Sequence, residues 1–241
     1  MEDTPLTWTI VKLAMIGSTQ TIAREYLALG HGAGTVIVAE GQTHGEGRRG
    51  RHWHSPEGGL YLTALLKPIG DVGLIPLLGG VVIAEAIHDM FDISVGLKWP
   101  NDVLMGGKKV GGVLAESGWS REKARHTLMG IGVNLNNPVP DWLPEATSLS
   151  KELGERVDVD AFLHRLLGTL DRHLLLMDSD PGHLISAWRE SSLTLGRVVD
   201  VTDGSGEMVS GLALDIDLDG ALLVDCKCEV KRVVSGILDL R

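Results

Sequence analysis

Residues 41–56 read GQTHGEGRRGRHWHSP, and the fold turns on how this stretch is understood. It holds Gly45-Glu46-Gly47-Arg48-Arg49-Gly50, a literal G-x-G-x-x-G, directly after the strand-like run TVIVAE at 35–40. In a dinucleotide-binding βαβ unit the third glycine opens a helix. Here it is followed by RHWHSPEGG (51–59), where proline and a glycine pair forbid one. The chain is therefore not read as a doubly wound Rossmann fold. The stretch is a glycine-hinged loop bearing three arginines. Glycine lets backbone approach a ligand, and a forked guanidinium suits carboxylate or phosphate; a merely solvated basic loop is the bland alternative. Trp53 suits stacking on a planar base, or equally anchoring the loop to a core. His52 and His54 form an H-x-H with His44 nearby, but no carboxylate or cysteine cluster adjoins them to make a metal site.

Outward from the loop, 8–16 (WTIVKLAMI) reads as a strand. Ser18 and Thr19 then cap a helix reaching Leu29, with Gly30 as its stop. Strands are expected at 60–67, 95–99, 102–105, 110–116 and 127–134. A mainly apolar helix spans 73–91, interrupted at Gly79-Gly80. Gly106-Gly107 carries hairpin chemistry, because glycine adopts positive φ without strain. Val159, Phe162, Leu163, Leu166, Leu167, Leu170 and Leu174 mark a helix over 158–177. Asp180 and Pro181 begin another. Beyond Gly196 only short alternating strands and turns such as DGSG and DLDG remain. The expectation is a mixed α/β domain over 1–195 and a small β-domain over 196–241.

Composition sets outer limits. The 241 residues carry 22 Lys+Arg against 32 Asp+Glu, a net charge of −10, which argues against a surface that grips nucleic acid or anionic membrane as a whole. The longest run without Asp, Glu, Lys or Arg is 126–140, shorter than the roughly 20 apolar residues of a membrane span and broken by Asn and Pro. No secretion signal is visible at the N-terminus, so a cytoplasmic location is expected. Cys226 and Cys228, one residue apart, are read as reduced thiols. Within the acidic average lie two positive islands: 41–56 and 96–112 each sum to +2, with three basic residues against one acidic.

The second island is Lys98-Trp99-Pro100-Asn101-Asp102, returning through Lys108-Lys109-Val110-Gly111-Gly112. It brings two further lysines and two close-approach glycines to a strand end. A third piece, Gly130-Ile131-Gly132-Val133-Asn134-Leu135-Asn136, is a strand whose glycines leave room for a ligand and whose Asn can bond a ribose or phosphate.

Ser18-Thr19-Gln20, Ala39-Glu40-Gly41-Gln42, the loop from Gly45 to Trp53, KWPND, KVGGVLAE and GIGVNLN occur in the order and spacing of biotin protein ligases, which the whole chain resembles. The resemblance implies an α+β fold: a class II synthetase-like catalytic domain with a mixed sheet and helices, plus a small C-terminal SH3-like β-barrel. It implies a two-step, AMP-forming enzyme that needs Mg²⁺. Biotin and Mg-ATP give biotinyl-5′-AMP and pyrophosphate, and a lysine of a biotin carboxyl carrier protein then attacks the mixed anhydride. Arg48 and Lys109 would bridge the biotin carboxylate and the α-phosphate, countering the repulsion between them. Asp102 would meet the incoming lysine. Ser18, Thr19, Gln20, Gln42, Gly45, Glu46, Gly47 and Gly112 would line the biotin end, with Arg48 and Lys109. Arg51, Trp53, Lys98, Asn101 and Asn134 would serve the nucleotide, which delivers its own Mg²⁺ in the absence of a metal-binding side-chain cluster.

One position departs from the family. The loop usually reads Gly-Arg-Gly-Arg-Arg-Gly-Arg, and here the second residue is Glu46. Glu46 is tolerable if its backbone N–H serves the ligand. If its side chain faces the anion it repels it, or it pairs with Arg48 or Arg49. The catalytic fold is read as starting by Trp8, so neither an N-terminal DNA-binding domain nor nucleic-acid binding is expected, while a homodimer is possible. The alternatives are a lipoate- or octanoyl-type acyl ligase of the same fold, and a non-catalytic biotin-binding interaction module.

Overall fold

The computed structural model describes residues 6–69, 71–120 and 123–240. A seven-stranded mixed sheet forms the larger part, in the order β1-β2-β3-β7-β6-β5-β4. Its strands are β1 (Thr9–Ile16), β2 (Thr35–Gln42), β3 (Leu60–Leu66), β4 (Gly96–Lys98), β5 (Asp102–Met105), β6 (Lys108–Ser120) and β7 (Lys123–Val133). Only β1 and β2 run parallel, joined by the crossover helix α1 (Thr19–Ala28). The other neighbours are antiparallel. β6 and β7 extend beyond the expected 110–116 and 127–134, forming one long hairpin.

Helix α2 (Leu74–Phe91) is unbroken at Gly79-Gly80. A Cβ on Gly79 would stand 2.7 Å from both methyls of Val113, so this glycine lets the helix lie close on β6. The cost of glycine in a helix is offset here by packing. By length and composition α2 could cross a bilayer, but Leu74 to Ala84 are all buried within the protein. The short helix α3 (Leu149–Leu153) has no counterpart in the sequence reading. α4 (Val159–Ser179) and α5 (Pro181–Glu190) follow, capped by Asp158 and Asp180, the second as its sequence suggests.

The chain ends in an antiparallel five-stranded sheet, order β11-β10-β9-β8-β12: β8 (Val198–Asp203), β9 (Met208–Ile216), β10 (Leu222–Asp225), β11 (Val230–Val233) and β12 (Gly236–Leu240). The outer strands β11 and β12 do not pair with each other among the described residues, so the expected barrel is open. Val199, Val201, Leu222 and Val224 belong to the same buried cluster as Leu77, Ile83, Trp99 and Leu166. Trp99 donates its indole N–H to the Gly220 carbonyl at 3.0 Å, and Arg189 of α5 forks onto Asp215 of β9. Cys226 and Cys228 are free thiols in the turn after β10 rather than on a strand, with Lys227 between them at φ +70°.

Candidate functional site

A cleft of about 400 Å³ opens over the middle of the large sheet. One wall is the start of α1. Ser18, in extended conformation, caps the helix by accepting from the Gln20 N–H at 3.2 Å. This fixes Thr19, whose N–H donates to Gln42 Oε1 at 2.8 Å. Gln42 Nε2 donates to Ser55 Oγ, whose hydroxyl reaches the Trp53 carbonyl. Thr63 lies between the Thr19 hydroxyl and Gln20 Oε1, at 3.0 and 2.9 Å. Ser18, Thr19, Gln20 and Thr63 are all nearly inaccessible to solvent. Gln20 Nε2 is buried without a hydrogen-bond partner among the described residues. Such a group costs free energy unless something pairs with it.

The arginine loop folds as a narrow hairpin. Gln42 donates to Ser55 O, Trp53 to Gly45 O and Gly47 to Arg51 O, at 2.8–2.9 Å. Thr43 and His44 tie its base to Ile16 and Gly17. Its tip is one 3₁₀ turn, Arg48–Gly50, with Arg49 and Gly50 left-handed at φ +56° and +70°, after which the chain is extended rather than helical. Half-buried Arg48 donates to Asn101 Oδ1 at 2.9 Å and reaches the Gly236 carbonyl at 3.5 Å. Burial, with Arg49 alongside, draws its pKa below the usual arginine value. Asn101 is held in turn by donating to the Val113 carbonyl at 3.1 Å. Arg49 leans toward the Thr202 carbonyl of β8 at 3.5 Å.

The Gly106-Gly107 turn, both residues at positive φ, sends β6 back beside β5 and brings Lys109 against Asp102, with which it forms an ion pair. The Lys109 ammonium also stands 5.2 Å from the centre of the Trp53 ring. Trp53 lies on Gly112 and Gly132, which face each other on β6 and β7. A Cβ at Gly112 would come 3.1 Å from Cζ3 of the indole. Trp53 Nε1 is buried and has no hydrogen-bond partner among the described residues. Asn134 donates to the Thr147 carbonyl and accepts from Asn137, both at 3.0 Å.

Of the residues singled out from sequence, Ser18, Thr19, Gln20, Gln42, Glu46, Gly47, Arg48, Arg51, Trp53, Lys98, Asn101, Asp102, Lys109, Gly112 and Asn134 all line this cleft. Gly45 does not; it sits behind it, where a Cβ would strike the Trp53 carbonyl and the Ser55 hydroxyl. Glu46 pairs with neither Arg48 nor Arg49. Its carboxylate meets Arg24 of α1 at 2.6 Å and accepts from the Thr21 hydroxyl at 3.0 Å. His52 and His54 also reach the cleft, but among the described residues no three His, Cys, Asp or Glu side chains converge as metal ligands.

The sequence reading missed one wall. Val139, Pro140, Trp142, Leu143 and Pro144 come from a segment without periodicity, and Trp142 meets His54 edge-on with centroids 5.3 Å apart. Two prolines and a tryptophan in one stretch without periodicity were the signal available.

Residues 13–134 match the Biotin/lipoate A/B protein ligase family, and residues 194–241 match the Biotin protein ligase C terminal domain. The bifunctional ligase/repressor BirA of Bacillus subtilis is 34% identical over 237 residues, covering 94% of this chain and 72% of BirA. A biotin–acetyl-CoA-carboxylase ligase of Paracoccus denitrificans is 34% identical over 88% of this chain and 92% of its own. The biotin protein ligase of Aquifex aeolicus in complex with biotin and ATP superposes with a TM-score of 0.86 at 31% identity, over 97% of this chain and 98% of that one. With matches at both ends of the chain and relatives of this identity covered over most of their length, the protein belongs to the biotin protein ligase family.

Proposed function

We propose that the protein activates biotin with Mg-ATP to biotinyl-5′-AMP and transfers the biotinyl group to a lysine of a biotin carboxyl carrier protein. The observation that carries this reading is one cleft with two unlike ends. Ser18, Thr19, Gln20, Gln42 and Thr63 make one wall a dry, polar nest, and Arg48 and Lys109 bring two cations to the other side. A ureido head suits the first and a carboxylate meeting a phosphate suits the second. An octanoyl or dithiolane end would leave the buried Gln20 Nε2 unpaired, which favours biotin over the lipoate- or octanoyl-type reading.

In the first step the biotin carboxylate oxygen attacks the α-phosphorus and the bond to pyrophosphate breaks. Arg48, held by Asn101, and Lys109 offset the charge gathering there. Arg51, Lys98 and Asn134 serve the phosphates and ribose, and the Trp53 face serves the adenine. Mg²⁺ is required and enters with the nucleotide. As substrate anions draw Lys109 away, the Asp102 carboxylate is released to hydrogen-bond the acceptor ammonium and take its proton. The lysine nitrogen then attacks the acyl carbon and AMP leaves. The large sheet with its helices, residues 1–195, carries this chemistry, and the cytoplasm is its setting.

Incubation of a purified carrier domain with the protein, biotin and Mg-ATP tests the reading by mass spectrometry. One biotinyl mass on the target lysine is expected; an unmodified carrier, or modification by lipoate or octanoate instead, overturns it.

A further inference from the structure

Arg24 faces solvent from the second turn of α1, outside the polar nest, and makes contacts that the chemistry above does not use. Its Nη2 lies 2.6 Å from Glu46 Oε2 and 2.6 Å from Glu116 Oε1, while Nε donates to Glu116 Oε2 at 2.9 Å. One guanidinium thus forks between a carboxylate of the anion-binding loop and one of β6. The Thr21 hydroxyl, one turn earlier, adds a donor to Glu46. Glu46 lies in the cleft wall, two residues before Arg48 and three before Arg49. Left without Arg24, its carboxylate would be free to turn toward those two arginines of its own loop. An ion pair made there would remove from substrate the positive charge that the loop exists to present. Burial alone would raise the Glu46 pKa, but hydrogen bonds from Arg24, Ser18 and Thr21 outweigh it and bring the carboxyl below its ordinary value.

We propose that Arg24 is a positioning residue. It withdraws the Glu46 carboxylate from the loop's own arginines and ties the loop to α1, so that an acidic residue can stand in an anion-binding loop without disabling it. The proposal rests on the functional reading above only for its kinetic arm. It also implies that Glu46→Arg, although it restores the family's usual residue, impairs this chain by setting two guanidiniums against each other.

The experiment has a ligand-free arm and a kinetic arm. In hydrogen exchange without ligand, Arg24→Ala should speed exchange of the amides of residues 45–53 by about fivefold, which is about 1 kcal/mol and the upper range for an exposed ion pair. Arg24→Lys should recover part of this protection, because an ammonium can hold Glu46 without forking to Glu116. In biotin-dependent pyrophosphate release, Arg24→Ala should raise the KM for Mg-ATP about fivefold with kcat little changed. Adding Glu46→Gln should bring KM back down, since no carboxylate then remains to capture Arg48. Unchanged loop exchange in Arg24→Ala overturns the proposal, as does a double variant as impaired as Arg24→Ala. If no variant releases pyrophosphate, the assigned reaction fails and the ligand-free exchange alone decides the role of Arg24.

Discussion

Trp53 and Gly132 stand so close that a Cβ added to the glycine would lie 2.6 Å from indole atoms Cε2 and Nε1. The ring is seated on a shelf that only a missing side chain provides. Gly132→Ala should therefore unseat Trp53 while leaving the sheet intact, because this glycine needs no left-handed conformation. Overpacking of this kind costs about 1–3 kcal/mol. With the loop free to move as a unit, that cost should emerge mainly as a rise of about tenfold or more in the Kd for ATP, at about 1.4 kcal/mol per decade. Calorimetric titration checks it, and nucleotide binding unchanged by the substitution would show that the indole's seat is irrelevant.

Arg48 is aimed by Asn101 rather than by a carboxylate, so its charge is undiminished. Arg48→Ala should lower kcat for biotin-dependent pyrophosphate release by about 10²–10³, the usual loss when a donor to a developing anion is removed. Asn101→Ala should lower it by about tenfold, since the guanidinium remains but loses its aim. Circular dichroism should be unchanged in the first variant. Equal losses in the two would mean that Asn101 acts on substrate directly.

Variants of the Asp102–Lys109 pair should separate the two half-reactions. Asp102→Asn keeps a hydrogen-bond acceptor for Lys109 but removes the proton acceptor. Adenylate formation should stay within about threefold of wild type while transfer to the carrier falls by about 10²-fold. Lys109→Gln should do the reverse, impairing adenylate formation first. Single-turnover assays with preformed adenylate distinguish the steps, and equal loss in both for Asp102→Asn would reduce its role to holding Lys109.

Away from the cleft, Glu85 of α2 meets the buried ring of His173 on α4 at 2.9 Å and Arg172 at 2.5 Å. Burial would raise the Glu85 pKa, yet these two partners hold it below its ordinary value. A carboxyl depressed by folding stabilises the folded state above its unfolded pKa, and that stability is lost as pH falls through the lower folded value. Glu85→Gln should thus cost about 1 kcal/mol near neutrality, discounted for the group's partial exposure, and progressively less in acid. Urea titrations at several pH values test this; a penalty that grows toward acid would reverse the sign and refute it.

Local chemistry was legible wherever one residue sets its own backbone. Ser18 and Asp180 announced helix starts, Gly106-Gly107 announced a hairpin, and 51–59 ruled out a helix after the glycine motif. Effects that depend on distant neighbours were not legible. The role of Gly79 is visible only when Val113 lies beneath it. The charge of Glu46 reads as a fault in the loop until α1 brings Arg24 to it from 22 positions upstream. The wall around Trp142 escaped because irregular backbone carries no period. By contrast the cleft's lining was largely recoverable, because the resemblance to biotin protein ligases assigns residues in short motifs that strand pairing then brings together.

The apolar interior passes without a break from beneath the large sheet into the small one, with the indole of Trp99 hydrogen-bonded across the join. The C-terminal 45 or so residues are thus no detachable appendage. Shorn of them, α2 and Trp99 would be laid open to water and the remainder would be prone to aggregate. The two halves should melt in a single transition.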